Sequence, residues 1–169
     1  MDQSTFKCSC CGEILEGPPL SWHFEAPDAW NDLSPADRKI HGQLSSDQCI
    51  IGRDYFIRGL VEIPIIDNPE VFAWGVWVSL SEENFACASE LWDDDNRVNE
   101  PPYFGWLCNS LPGYPETLNL KTMVHTRTVG QRPYVERELT EHPLAIEQRK
   151  GIPMARVQQI AEAMYHGSL

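Results

Sequence analysis

The residues with the clearest chemical potential lie near the amino end, in Phe6-Lys7-Cys8-Ser9-Cys10-Cys11-Gly12. Cys8 and Cys11 have C-x-x-C spacing, and Gly12 follows directly. That spacing lets two thiolates converge on one ion while the amides of a tight turn point at the sulfurs, and the glycine supplies the positive φ such a turn needs. Zinc is the expected ion, being tetrahedral and borderline-soft. Cys10 leaves a Cys8/Cys10 pairing conceivable, but the x-two spacing favours Cys8/Cys11. A closed structural site takes four ligands, and no second C-x-x-C exists. The further candidates are Cys49, His23, His41, Cys87, Cys108 and His125. Cys49 ranks first because it opens a predicted strand just after the segment that would carry the knuckle back, and His23 ranks next. The expected shell is therefore Cys8, Cys11, Cys49 and His23 around a structural zinc. The competing reading leaves the three N-terminal cysteines as free thiols. No H-E-x-x-H accompanies them, which argues against a catalytic metal. No βαβ pattern follows, which argues against a redox dithiol.

A second polar cluster, His142 with Glu147 and Arg149, could do acid–base work or clamp an anion. The plainer expectation is that His142 caps a turn and the other two pair on a helix surface. Asp93-Asp94-Asp95 lacks the spacing of a calcium loop and reads as a solvated helix end. There is no G-x-S-x-G and no phosphate or dinucleotide loop. The aromatic set Trp74, Trp77, Trp92, Tyr103, Phe104 and Trp106 is expected in the core, and any exposed members would form a partner surface.

The elements that must position these groups follow from periodicity. Ser34-Pro35-Ala36-Asp37 starts a short helix ending near Gly42, with Ser34 as cap and Pro35 at the first position. Tyr55, Ile57, Val61, Ile63 and Ile65 alternate on one strand face, with Arg58 and Glu62 on the other. Asp67-Asn68-Pro69 is a turn, and Phe72, Trp74, Val76, Val78 and Leu80 form the next alternating stripe, so the two strands should pair as a hairpin. Ser81 caps a helix over Glu82 and Glu83. Further strands are expected at Cys49 to Ile51, Tyr103 to Cys108, Leu118 to Val124 and Tyr134 to Leu139. Pro143 to Lys150 makes one or two helical turns, and a last helix carries Met154, Val157, Ile160, Ala161 and Met164 on one face. The expectation is one α+β domain over 1–169: a knuckle and irregular leader over 1–30, an antiparallel sheet of five to six strands over 48–140 with an inserted helix and helices on one side, and a C-terminal helix over 152–166.

The chain has 169 residues, of which 42% are hydrophobic, which is enough for a core without disulfides. Lys and Arg number 13 against 25 Asp and Glu, giving a net charge of −12. That balance argues against nucleic acid and against anionic membrane, and it permits a basic protein partner. The amino end lacks the pattern of a secretory signal, so a cytoplasmic location with reduced cysteines is expected.

Several runs together carry a resemblance: Cys8-x-x-Cys11-Gly12, Asp47-x-Cys49-Ile50-Ile51, Phe56-Ile57-Arg58-Gly59, Trp74-Gly75-Val76-Trp77-Val78-Ser79-Leu80-Ser81-Glu82-Glu83-Asn84-Phe85, Phe104-Gly105-Trp106-Leu107, Tyr114-Pro115, Gly130-Gln131-Arg132-Pro133 and His142-Pro143-Leu144. Over nearly its whole length the chain resembles the bacterial domain of unknown function 2199. The resemblance implies a bacterial cytosolic protein of uncharacterised activity. It also implies that relatives carry a His where this chain has Leu15, which leaves Cys49, His23 or Cys10 to complete a metal shell here. The function expected is that of a non-catalytic, metal-stabilised acidic protein that binds a basic partner, as immunity or inhibitor proteins do. The alternatives are a metal-dependent, hydrolase-like enzyme using the cysteine site or the His142/Glu147/Arg149 cluster, and a zinc-responsive regulatory module.

Overall fold

The structure, a computed structural model, describes residues 5–166. Its spine is one long antiparallel hairpin. The elements that precede it are β1 (Thr5–Lys7), β2 (Ile14–Glu16), β3 (Ser21–His23), α1 (Asp28–Asn31), α2 (Pro35–His41), β4 (Gly42–Leu44) and β5 (Gln48–Ile51). The hairpin itself is β6 (Asp54–Pro64) and β7 (Val71–Leu80), paired in register from Tyr55↔Leu80 to Pro64↔Val71. Asp67 takes a positive φ in the turn and Asn68 Oδ1 accepts the Glu70 amide, the Asx chemistry expected there. After it come α3 (Glu82–Glu90), a 3-10 turn (Asp95–Asn99), β8 (Tyr103–Leu107), β9 (Lys121–His125), β10 (Tyr134–Arg137), α4 (Pro143–Lys150) and α5 (Met154–His166). Ser34, Ser81 and His142 each accept a backbone amide at the start of α2, α3 and α4.

The expected open antiparallel sheet with helices on one side does not form. Strands β6 to β10 pair in sequence and β10 returns to β6, closing a five-stranded barrel. Four of the joints are antiparallel, and the closing joint between β10 and β6 is parallel, through Tyr134↔Leu60. An odd number of strands in a meander must close this way, because the first and last strands then run in the same direction. Closure pairs β10 with β6 and leaves only the short β3 and β4 as edges of the sheet. The long hairpin exceeds the barrel in length, so each outer edge is shared. Beyond the barrel, β6 pairs with β5 and β4, and β7 pairs in parallel with β3. Residues 5–16, expected as an irregular knuckle, form a separate two-stranded sheet of β1 and β2.

The period-two stripes behave as read. Ile57, Val61, Ile63, Phe72, Trp74, Val76 and Val78 are buried in one core, joined by Phe85 of α3, Leu144 of α4, and Val157 and Ile160 of α5. Phe56, Cys49 and Trp77 make a second, smaller core with Phe24 and Trp30. Trp74 and Trp77 are fully buried, each contributing several kcal/mol at about 25 cal/mol per Å². Phe104 and Trp106 are exposed. Gly59 sits at the closing seam, where a Cβ would stand 2.6 Å from Val135 Cγ2 and 3.0 Å from the Pro133 carbonyl oxygen. Among the described residues no helix is long and apolar enough to cross a membrane.

Candidate metal centre

The β1–β2 hairpin turns through Cys8 to Glu13. The Cys8 amide donates to the Glu13 carbonyl at 2.8 Å, the Gly12 amide donates to the Cys8 carbonyl at 2.9 Å, and Gly12 has φ +73°. This is the turn that the C-x-x-C-G spacing predicts. It aims the amides of Cys11 and Cys10 at the Cys8 sulfur. Those hydrogen bonds, led by Cys11's, outweigh partial burial and lower the Cys8 thiol to about 7. Cys8 is thereby prepared as a thiolate, the form that ligates metal.

The partner of this turn comes from the far end of the chain. Helix α5 presents Gln158, Glu162 and His166, one every fourth residue and therefore along one face. Gln158 Nε2 donates to the Lys7 carbonyl at 3.1 Å. Glu162 accepts from both donors of Ser9, its amide at 2.8 Å and its hydroxyl at 2.6 Å. These bonds, the hydroxyl's first, hold the Glu162 carboxyl below its ordinary range. His166 Nε2 then lies 3.0 Å from Cys8 Sγ and 3.8 Å from Cys11 Sγ. The donor atoms of Cys8, Cys10 and His166 all lie within 4.8 Å of one another. Burial pushes the Cys10 thiol up, and the neighbouring charge of Cys8 adds to it. A second thiolate here is thus opposed until a cation neutralises the pair. Two thiols and an imidazole, with Cys11 alongside, are donor types that suit zinc. This group could hold a metal ion.

The other expected ligands lie elsewhere. Cys49 is fully buried in the second core with Phe56 and Trp77, and burial, then Cys108, pushes its thiol up to about 11. It is held as a neutral thiol in an apolar pocket. His23 lies on β3 beside β7 and pairs with Glu25 at 3.0 Å. Cys11 reaches the site and Cys10 joins it. Sequence reasoning missed His166 and the face that carries it. The signal was available: Gln158, Glu162 and His166 at spacing four, away from the apolar stripe of Val157, Ile160 and Ala161 on the same helix.

The His142/Glu147/Arg149 cluster does not converge. His142 Nδ1 accepts the Leu144 amide, capping α4 as expected, and its Nε2 lies 3.0 Å from the Glu116 carbonyl. Glu147 does not pair with Arg149. It accepts from Tyr114 Oη at 2.6 Å and from Arg156 Nε at 2.8 Å. Arg149 Nη1 donates to the Thr140 carbonyl. Each side chain is committed to holding α4 or α5 in place. The Asp93–Asp95 run leads into the 3-10 turn, which Asp94 caps by accepting the Asn96 amide.

No curated protein and no solved structure matches the chain. A family model matches residues 7–152, taking in the three clustered cysteines and stopping short of α5. By that match the chain belongs to the family described as uncharacterized protein conserved in bacteria (DUF2199).

Proposed function

We propose that this chain is a non-catalytic acidic binding protein whose amino-terminal hairpin is clasped to its C-terminal helix by a structural zinc ion. The observation that carries the reading is the convergence of Cys8 and Cys10 with His166, across nearly the full length of the chain, with Cys11 Sγ 3.8 Å from the same imidazole and able to complete the shell. Four protein donors close a tetrahedral shell and leave no open position for a substrate, which is the pattern of a structural site. The hairpin buries little besides Phe6 and Cys8, so an ion would supply the fastening that its small core does not.

Two features support a binding role. The net charge of −12 suits a basic protein partner, as for immunity or inhibitor proteins, and would speed the encounter. On the outer face of β8, Phe104 and Trp106 stand exposed and edge to face, with centroids 5.1 Å apart. Exposed aromatic pairs of this kind anchor interfaces. The exposure of Cys10 and Cys11 favours a second reading, in which zinc exchanges and the module responds to it.

Elemental analysis of the protein purified under reducing, chelator-free conditions tests the first part. One zinc per chain is expected, lost in Cys8→Ser and in His166→Ala. Metal-free wild type would overturn it. The binding role predicts that a recovered partner is basic and that its affinity falls with salt and in Trp106→Ala. Retention unchanged by both would remove that role. Chelation that alters only the stability of the hairpin favours the structural reading, and a change in partner affinity favours the zinc-responsive one.

A further inference from the structure

A cavity of about 630 Å³ opens beside the seam where β10 meets β6, lined on one side by α3 and on another by the loop 126–133. That volume is typical of a small-molecule site. Four of the chain's 13 basic residues line it: Arg58, Arg97, Arg127 and Arg132. Such a concentration is unexpected in a protein of net charge −12.

Three of the four are already committed. Arg97 donates to the carbonyls of Arg127, Trp92, Thr128 and Gln131 at 2.6 to 2.9 Å, acting as a strut that holds the loop over the cavity. Arg127 pairs with Glu62 at 2.7 Å, and Arg132 pairs with Asp47 at 2.9 Å. Arg58 differs. It is only 6% exposed, and no carboxylate of the described residues lies within ion-pair distance of it. Its Nη1 donates to the Ser46 carbonyl at 3.1 Å, and its Nε is buried with no partner, as is Arg127 Nε. Burial, then the nearby charge of Arg132, holds the Arg58 guanidinium below its ordinary value. The charges of Glu25 and Asp47 act on it only from beyond contact distance, and a buried cation without a contacting counter-ion is costly, a cost relieved by an anion with oxygens to match the guanidinium fork. The carboxylates facing the cavity do not meet that need. Asp47 is taken by Arg132, Glu100 accepts from Tyr103 Oη, and Asp93 makes no ion pair with Arg58. Leu60, Leu91 and Trp92 give the rest of the wall an apolar surface.

We infer that this cavity binds a small organic anion, a carboxylate or phosphate ester on an apolar body, with its oxygens on Arg58 and on the Arg132 Nη groups, which the Nε bond to Asp47 leaves available, and its body against Leu60, Leu91 and Trp92. The site is separate from the metal centre and does not depend on it. Fixed donors and a largely committed lining make it pre-organised, so one anionic group on a flat body is the ligand chemistry that fits.

Titration of the isotopically labelled full chain with phenyl phosphate, phenylacetate and neutral 2-phenylethanol tests this, followed by NMR at the Gly130 and Gln131 amides and at Arg58 Nε–H. Saturable shifts are expected with at least one anion, and the stronger anion assigns the class. The neutral analogue should bind at least about tenfold more weakly. Arg58→Gln and Arg132→Gln should each weaken the anion about tenfold or more, with Arg149→Gln, outside the cavity, unchanged. Arg132 is partly exposed, so its variant remains informative if Arg58→Gln fails to fold. No shift from either anion up to about 10 mM, equal binding of the alcohol, or undiminished binding in Arg132→Gln would overturn the assignment.

Discussion

Replacing Glu162 with Ala should release the amino-terminal hairpin while leaving the barrel intact. The hairpin has three paired positions and only Phe6 and Cys8 buried, and an isolated two-stranded hairpin is marginal in water. Its docking therefore rests on α5, and Glu162 makes two of the polar contacts, to the Ser9 amide at 2.8 Å and hydroxyl at 2.6 Å. A hydrogen bond to a charged group contributes about 1.5–3 kcal/mol. Ser9 is exposed and water recovers part of this there, so the pair should contribute about 2–3 kcal/mol to docking. At 1.4 kcal/mol per decade, opening becomes about 30- to 140-fold more frequent. Hydrogen exchange in chelator, where no ion masks the effect, reads this at the Ser9, Cys8 and Gly12 amides. Glu162→Gln keeps acceptor capacity for one Ser9 donor and should fall between wild type and Glu162→Ala. Hairpin exchange within about threefold of wild type would refute the reasoning. So would an equal acceleration at Val76 in the barrel core, because the loss would then be global.

Cys49→Ser buries a hydroxyl among Phe56 and Trp77 and should cost about 1–3 kcal/mol, read by thermal melting, with metal content equal to that of wild type. Gly59→Ala drives a Cβ against Val135 and the Pro133 carbonyl and should destabilise the closing seam by about 1–3 kcal/mol; an unchanged Tm would show that the seam gives way freely. In metal-free native protein, the exposed Cys10 and Cys11 should react with a thiol-specific disulfide reagent at mildly alkaline pH. Cys49, fully buried with its thiol pushed up to about 11, should react only on unfolding; mass mapping of labelled sites checks both.

Much of the local structure was legible because its signals are short-range. Ser34 with Pro35, and Ser81 with its following acids, mark the starts of α2 and α3 by capping chemistry. The alternation through Tyr55–Ile63 and Phe72–Leu80, with Asp67 and Asn68 between, specifies a hairpin and its inward face. The knuckle was legible for the same reason, since Cys8, Cys11 and Gly12 lie within one turn. Barrel closure was not. Its joint pairs Tyr134 with Leu60, and no periodicity in either strand distinguishes that partner from solvent. Cys49 misled because a cysteine at a strand start reads alike as ligand or core. Its neighbours Phe56, across the pair, and Trp77, on β7, decide which, and they arrive only when the strands assemble.

The amino-acid sequence determined which segments become strands and helices, which face of each is apolar, and that thiols near the amino end form a turn able to present sulfur to a metal. These properties depend on residues within a few positions of one another. Tertiary structure decided that the sheet closes, that His166 on α5 meets the amino-terminal thiols, and that Arg58 is buried beside a cavity with no carboxylate among the described residues in contact with it. Each of those depends on packing between groups far apart in the chain, where the energy comes from burial and charge and the sequence pattern carries no address.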